Sequence, residues 1–599
     1  MVRELFTAFS SPLSDFHPCP PASQREKWEE LSEESKHRLK DTASFFGKSS
    51  YPSLSASTFM EFTREGNRTN YEKLYFTKRR ALNAAVIAEC SEYKQTYLDR
   101  IIDGIFSICE ESAWQLPAHN SLIRDGVQLI LPDASHPVVD LFACETAAQL
   151  ATIRYLLKEE LDAISPLICI RMEEEITKRV LDPYLTVHFW WMGNGEEKMC
   201  NWTTWCTQNV LLAAFMLPTS QEKRMSIVKQ ALYSLDSFLK DYGDDGCCNE
   251  GAQYYHHAGL CLFHSLFILN EVSHGACASL FFEPKIRNIA TFIKEIHAQG
   301  SYFFNFSDCS PLAGQCTARE YLFAKQIGDE QMLRFALRSF QEEDRSKRDL
   351  SHEINLYYRL LALFNEKEMD QVGLDPETHD IYYPSVGIMI SRDAVFALAV
   401  KSGGNGDSHN HNDTGSLTVY KSGKPLLIDI GVESYSKKTF SSDRYSLWTM
   451  QSLYHNVTNF PHLEQQPGEE YRSTEVEVNL HGNPSISMEL SSAYPKDKIL
   501  GSYRRKITHI KGVSILLEET IDSECEGILT LMTKEKPLIS EGKLEIGELG
   551  VIHIMNEQDV QTIQVESIPI TDQRLKETWP NMVYRILITY VHQLTLKVE

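Results

Sequence analysis

The sequence predicts an α+β multidomain protein, helical in its first part and antiparallel β in its last. Three observations lead there. At 599 residues the chain exceeds the size at which a single hydrophobic core stops growing, so two or three domains are expected. Apolar residues then recur at helical spacing through the first half, as in Leu150, Ile153 and Leu157 or Val228, Leu232, Leu235 and Leu239, the mark of helices that bury one stripe. Beyond the middle the pattern changes to short β-rich runs parted by tight turns.

Taken in order, residues 1–70 form a polar, interrupted arm with a Cys-Pro-Pro break within Pro18 to Pro21 and a charge-rich helical stretch from Trp28 to Phe45. Residues 71–380 read as helical hairpins in series, with loops such as Leu217-Pro218-Thr219-Ser220 and Asp244-Asp245-Gly246 carrying turn residues. The period changes between Gly373 and Pro384. Residues 381–599 then read as antiparallel sheet, with a division near 500. Val386 to Ile390 and Ala394 to Val400 are strands joined at Arg392-Asp393. Leu417 to Tyr420 and Leu426 to Ile430 flank a hairpin turn at Lys421 to Lys424, and Tyr503 to Ile510 and Val513 to Thr520 flank Lys511-Gly512. Strands continue at Ile528 to Met532, Tyr584 to Val591 and Leu594 to Val598, in sheets expected to stack as a sandwich. No fixed-period repeat interrupts this order.

Composition narrows the function. Hydrophobic residues make up 42% and aromatics 10%, ample for packed cores. Lys plus Arg number 59 against 82 Asp plus Glu, a formal charge of -23. That opposes nucleic-acid binding through phosphates but still permits a locally basic cleft for an acidic ligand. No apolar run reaches the 18 or so residues of a membrane span, so no membrane association is expected. The start lacks a basic n-region followed by an apolar stretch. The chain as given is expected to be cytoplasmic, or periplasmic or secreted if a signal has been removed. Thirteen of the 14 cysteines lie between Cys19 and Cys316 with no C-x-x-C pair. That spacing gives neither a zinc finger nor a compact disulfide framework, and buried free thiols are the expectation.

Chemistry concentrates from Gly403 to His455. His409 and His411 stand at i and i+2, which on an extended backbone point to the same side. Asp429 and His455 add an oxygen and a third nitrogen, a set that suits zinc or a similar divalent ion. If the turn is centred on Ser422-Gly423, Asp429 pairs with about Ser416, and His411 has to curl back from a loop. The glycines at 403, 404, 406 and 415 make that feasible. Any one of these histidines taken alone is better explained as a solvated loop residue or a satisfied core residue. The density of the whole set favours a site, as does Asp429 between Ile428 and Ile430, since a carboxylate in an apolar strand is rarely buried unpaired. In the helical part, Trp190, Trp191, Trp202 and Trp205 offer flat apolar faces that suit sugar rings, and core packing explains them equally well. Tyr255 lies five residues after Glu250, too far to share a helix face, so Glu250 is placed in the turn before the helix.

Together, His409-x-His411, Asp429, Tyr454-His455-Asn456, Asn201-Trp202 and the Glu250 to Tyr255 stretch resemble the heparinase II/III-like polysaccharide lyases, from about Tyr71 to beyond His455. The resemblance implies an incomplete (α/α) toroid followed by antiparallel β-sheet domains. It also implies β-elimination on uronic-acid glycosaminoglycans such as hyaluronan, chondroitin sulfate or heparan sulfate. By the same resemblance Asn201 neutralises the uronate carboxylate, and Tyr255 and His409 are the acid/base pair. His411, Asp429 and His455 hold one divalent ion, zinc before manganese or calcium, that braces the site. Trp202, Glu250, His256, Asn410, Tyr435, Arg444 and Tyr445 are the candidates for substrate contact, with Arg444 offering a guanidinium fork for sulfate or carboxylate. Two departures stand out: Cys200 occupies a position where a second Asn is more usual, and no histidine stands near that stretch. The implied partner is an acidic polysaccharide or oligosaccharide, with oligomeric state left open. The alternatives are an alginate or other uronate-glycan lyase and a non-catalytic carbohydrate-binding protein with a structural metal. A zinc hydrolase is disfavoured, because the ligand set is accounted for without an activated water.

Overall fold

The structure, a computed structural model, describes residues 2–9, 12–124, 126–312, 316–348, 350–371, 376–496 and 500–599. Part of the expected change of period, residues 372–375, lies outside the described residues. The chain divides into two compact units, one of Met1–Tyr242, His256–Ala290 and Gln315–Pro376 and one of Gly243–Tyr255, Thr291–Gly314 and Glu377–Glu599.

The first unit is helical. Its long members include Thr69–Glu92, Leu141–Ile164, Asn201–Met216, Gln221–Asp241, Gly259–Val272 and Leu356–Met369. Their starts follow local capping chemistry. Asp140 accepts from the Ala143 amide, Ser220 from Lys223, and Thr317 forms a capping box with Glu320, each satisfying amides that a helix start leaves unbonded. Helix Asn201–Met216 buries nearly every side chain, including Thr203, Thr204, Thr207, Gln208 and Asn209, because Leu141–Ile164, Gln221–Asp241 and Gly259–Val272 all pack on it. The arm belongs to this unit as well: helix Glu33–Gly47 packs on Thr69–Glu92, and Phe59 meets Tyr71 edge to face at 5.3 Å. No helix among the described residues is long and apolar enough to cross a membrane.

The second unit is built from antiparallel sheets. Ile381–Tyr383, Ile388–Arg392, Phe396–Lys401, Leu417–Lys421 and Lys424–Leu427 make a five-stranded sheet in sequence order. The expected hairpins form: Ser422 and Gly423, with φ of 50° and 78°, make the turn in which both central residues take positive φ. Leu500–Ile510 pairs with Ser514–Ser523 in an eight-stranded sheet, and Gly527–Thr533 pairs with Met582–Tyr590 in a four-stranded one. All three sheets feed one core, to which Met389, Leu398 and Val419, then Ile486, Ile507 and Leu517, then Leu529, Ile586 and Ile588 contribute. This is the stacked arrangement expected. The sequence pattern leaves out several strands, among them Thr474–Asn479, Pro537–Ser540 and Val560–Pro569. These lie at sheet edges, where exposed polar residues blur the apolar alternation and guard the edge from pairing.

A buried ion pair ties this core to the loops that carry the candidate site. Arg505 Nε and Nη2 donate to Glu519 at 2.7 and 2.5 Å, and Nη1 donates to the carbonyls of Gly415 and Asn456 at 2.6 and 2.7 Å. Both side chains are fully buried. Removing one partner strands the other charge, so Arg505→Met should cost about 3–5 kcal/mol in a denaturant titration. A loss under 1 kcal/mol would mean that water reaches Glu519.

Candidate active site

The loop after strand Phe396–Lys401 carries the histidine pair. A side chain at Gly403 would put its Cβ 2.3 Å from the Val386 carbonyl oxygen, so the close approach that starts the loop requires glycine. His409 adopts φ of 54°, a left-handed conformation that non-glycine residues seldom take outside sites that enforce it. His411 follows in the loop, as the register argument requires.

A carboxylate that sequence reasoning missed organises the centre. Asp308, its side chain fully buried, accepts from His409 Nδ1 at 2.8 Å and from His411 Nε2 at 3.0 Å. Arg444 grips both of its oxygens, Nη1 to Oδ2 at 3.1 Å and Nη2 to Oδ1 at 2.6 Å, and the Tyr435 hydroxyl donates to Oδ2 at 3.2 Å. Burial alone would raise the Asp308 carboxyl. The hydrogen bonds from His409 and His411 and the charges of His409 and Arg444 hold it well below the usual carboxylate range. Burial pulls His409 down, but its bond to Asp308 and the charge of Glu250 more than reverse this and raise it above 6.5.

The face of the His409 ring lies against a half-exposed aromatic group. Tyr254 stacks on it at 4.7 Å and 23°, and Tyr435 lies nearly parallel to it at 6.4 Å. The two phenols are hydrogen-bonded to each other. Because Tyr435 donates to Asp308, Tyr254 donates to Tyr435, which gives a chain from one phenol through the other to the carboxylate. Burial, with the negative side of Tyr435 and Asp308 nearby, pushes the Tyr254 hydroxyl well above its ordinary value, so it stays protonated. Glu250 lies in the turn before helix Ala252–Tyr255, as the spacing argument placed it. It accepts from Ser408 at 3.1 Å and sits 3.7 Å from His409 Nε2.

His411, Asp429 and His455 form the second half of the site. They are 0%, 4% and 1% exposed, and one ligand atom from each lies within 4.8 Å of the others. Asp429 Oδ1 is spent on the Gly431 amide and the Asn305 amide at 2.9 and 3.2 Å, leaving Oδ2 opposite His455 Nδ1 at 2.9 Å. His455 Nε2 faces the Thr449 carbonyl at 3.1 Å and so must carry a proton, because a carbonyl only accepts. In a neutral ring Nδ1 would then point a lone pair at a carboxylate, so a positive charge, a proton or a metal ion, belongs between them. His411 sharpens the choice: its Nδ1 is buried without a hydrogen-bond partner, as a nitrogen reserved for a metal would be. Two bare nitrogens and a carboxylate oxygen converging in a buried place fit a divalent ion of the zinc kind. Burial lowers His411, whereas His455, pulled down by burial, is raised overall by Asp429. Asn456, beside His455, is structural: it bonds the carbonyls of Leu417 and Ile428 and the amide of Met532 at 2.7, 3.0 and 2.7 Å.

Other expected residues sit differently. Tyr255 is fully buried with its ring against Phe292 at 5.7 Å, and the phenol stacked on His409 is that of its neighbour Tyr254. Arg444 uses all five of its donors, on Asp308, on the Asn410 carbonyl and on the Thr439 carbonyl. No fork remains for a sulfate, and its expected substrate contact gives way to an internal role. Asn410 is buried and its amide reaches the Tyr445 hydroxyl at 3.4 Å. In the helical unit, Asn201 is buried at the first position of its helix. Trp202 is half-buried with Trp190 at 5.0 Å and His119 at 4.6 Å. His119 is held by Asp140 at 2.7 Å. His256 is half-buried and paired with Glu320 at 2.9 Å.

Residues 375–532 match the family described as heparinase II/III-like, C-terminal. No curated protein matches the chain in sequence. Among solved structures the chain is similar to heparinase III, with 12% identity, 99% of this chain and 93% of that chain covered, and a TM-score of 0.59. It is similar to a mutant heparan sulfate lyase from Pedobacter heparinus, with 13% identity, coverage of 88% and 76%, and a TM-score of 0.56. A chondroitin AC lyase from Streptomyces coelicolor A3 in complex with chondroitin sulphate follows at 9% identity, coverage of 100% and 82%, and a TM-score of 0.51. At these identities the likeness establishes the fold: a helical toroid followed by antiparallel sheet domains, as expected.

Proposed function

We propose that this chain, whose residues 375–532 match the heparinase II/III-like C-terminal family, is a lyase that cleaves uronic-acid-containing glycosaminoglycans by β-elimination. The observation that carries the reading is the stacked His409–Tyr254 pair, an imidazole and a protonated phenol side by side next to a buried His–Asp–His group that could hold a metal ion. Elimination needs one group to take the C5 proton, one to return a proton to the departing O4, and charge stabilisation of the enolate-like intermediate. His409, with Nδ1 bound to Asp308, offers Nε2 as the base. Tyr254, kept protonated, suits the acid. As the C5–H bond breaks, its electron pair delocalises into the carboxylate. It then forms the C4–C5 double bond as the C4–O4 bond breaks, and O4 leaves with the phenol proton. Asn201 is the candidate to hydrogen-bond the uronate carboxylate. A zinc-like ion held by His411, Asp429 and His455 would supply fixed positive charge that keeps their loops in place.

The test is incubation with hyaluronan, chondroitin sulfate, heparan sulfate and alginate while following ultraviolet absorbance of the C4–C5 double bond conjugated to the carboxylate. The chromophore should grow with one or more glycosaminoglycans. Reducing ends without the chromophore would indicate hydrolysis. No reaction with any polymer, with zinc, manganese or calcium supplied, would sink the proposal.

A further inference from the structure

We propose that Asp308 is a positioning residue that sets two histidines at once, fixing the ring of His409 for proton transfer and the ring of His411 for cation binding. The His409 half rests on the lyase reading above; the His411 half does not. A carboxylate only accepts hydrogen bonds. Each ring nitrogen that faces Asp308 must therefore carry the hydrogen, and in a neutral imidazole the opposite nitrogen is then bare. Oδ2 faces His409 Nδ1 at 2.8 Å, which leaves Nε2 bare on the half-exposed side, toward Glu250 at 3.7 Å. Oδ1 faces His411 Nε2 at 3.0 Å, which leaves Nδ1 bare. That Nδ1 is a buried nitrogen without a hydrogen-bond partner, on one of the three residues that could hold a metal ion.

The two rings thus present opposite nitrogens, Nε2 from His409 and Nδ1 from His411, because one carboxylate lies between them. Arg444 holds that carboxylate through both oxygens and is itself anchored by the carbonyls of Asn410 and Thr439, so the clamp also grips the loop that carries both histidines. Tyr435 adds a further donor at Oδ2, and Arg574 fixes the backbone by donating to the Asp308 carbonyl at 2.9 Å. An amide in place of the carboxylate could not do the same work. Asn presents one acceptor and one donor group, so it serves one histidine and confronts the other with an N–H.

The experiment is Asp308→Asn in the full-length protein, with two separate readouts. Zinc affinity, measured by chelator competition without substrate, should fall on the order of 10–100-fold, as loss of a carboxylate behind a ligating histidine does. On the polymer that the wild type cleaves, kcat should fall at least about 100-fold with KM changed little, the pattern of a misdirected acid/base group. Tyr435→Phe, which removes one donor to Asp308 and leaves both histidines served, should keep zinc affinity within about twofold of wild type. Should Asp308→Asn fail to fold, nitrogen-15 histidine spectra of the wild type, assigned with His409→Gln and His411→Gln, read the tautomers directly: Nδ1–H at His409 and Nε2–H at His411 are expected, and the reverse at either ring overturns that half. Unchanged zinc affinity in Asp308→Asn overturns the His411 half, and unchanged kcat overturns the His409 half. A wild type that binds zinc and cleaves no uronate polymer would instead defeat the lyase reading, with the His411 result still standing.

Discussion

Tyr254→Phe should reduce kcat by about 100- to 10,000-fold, the span over which a positioned acid/base group contributes, while Tyr255→Phe should keep activity within an order of magnitude of wild type. The two residues are adjacent and chemically identical, so the pair isolates position from residue type. Tyr254 is half-buried on His409 and passes its hydrogen bond to Tyr435. The Tyr255 ring is fully buried against Phe292, and loss of its hydroxyl should register in stability rather than turnover, by about 1 kcal/mol if it is hydrogen-bonded. Steady-state kinetics on the cleaved polymer, with thermal melts of both variants, decide the matter. The opposite ranking would return the phenol's role to Tyr255 and leave the stacked pair without a catalytic task. The pH profile gives a second reading. His409 must be neutral to accept a proton, and its titration is displaced above 6.5, so kcat/KM should rise with pH across a range above the ordinary imidazole value. In the His409→Ala variant that limb should vanish.

How legible this site was in the sequence depended on the span of each contact. His409, His411, Asp429 and His455 lie within one stretch, and side-chain chemistry together with hairpin register was enough to group them. The turn at Ser422-Gly423 and the strands around it follow from residue types that accept positive φ. Asp308 was invisible for a physical reason: its partners are more than a hundred residues along the chain, and nothing local marks a single Asp in Phe306-Ser307-Asp308-Cys309. Its segment was read as part of the helical run, yet Thr291–Gly314 packs with the sheets, where a small hairpin, His297–Gln299 with Tyr302–Phe303, turns it back. The Gly300-Ser301 pair after Gln299 was the signal available for that turn. Choosing between Tyr254 and Tyr255 required knowing which face of a four-residue helix is buried, and helical periodicity cannot decide that over a single turn. Arg444 shows the converse limit. Its residue type suggested an anion fork, and only the full set of its donors' partners revealed that an internal carboxylate and two carbonyls already occupy it.

Chelation should destabilise the wild-type protein and leave His411→Ala unmoved. Two accounts satisfy the His455–Asp429 geometry: a proton shared between Nδ1 and Oδ2, or a metal ion held by both. They differ at His411. A proton between His455 and Asp429 leaves the buried His411 Nδ1 without a partner, an omission that costs roughly 1–3 kcal/mol, whereas an ion uses all three ligand atoms together. A ligand that binds only the folded state stabilises it by about 2.7 kcal/mol at a hundred times its Kd and about 4.1 kcal/mol at a thousand times. Zinc-loaded wild type should therefore melt several degrees lower after treatment with a strong chelator, and restoring zinc should reverse the change. His411→Ala should contain little metal by elemental analysis and melt at the same temperature with and without chelator. If a proton alone occupies the place, wild type will carry no stoichiometric metal and its melting will ignore the chelator. The three residues would then be an internal ion-pair network, and the catalytic reading would rest on His409 and Tyr254 alone.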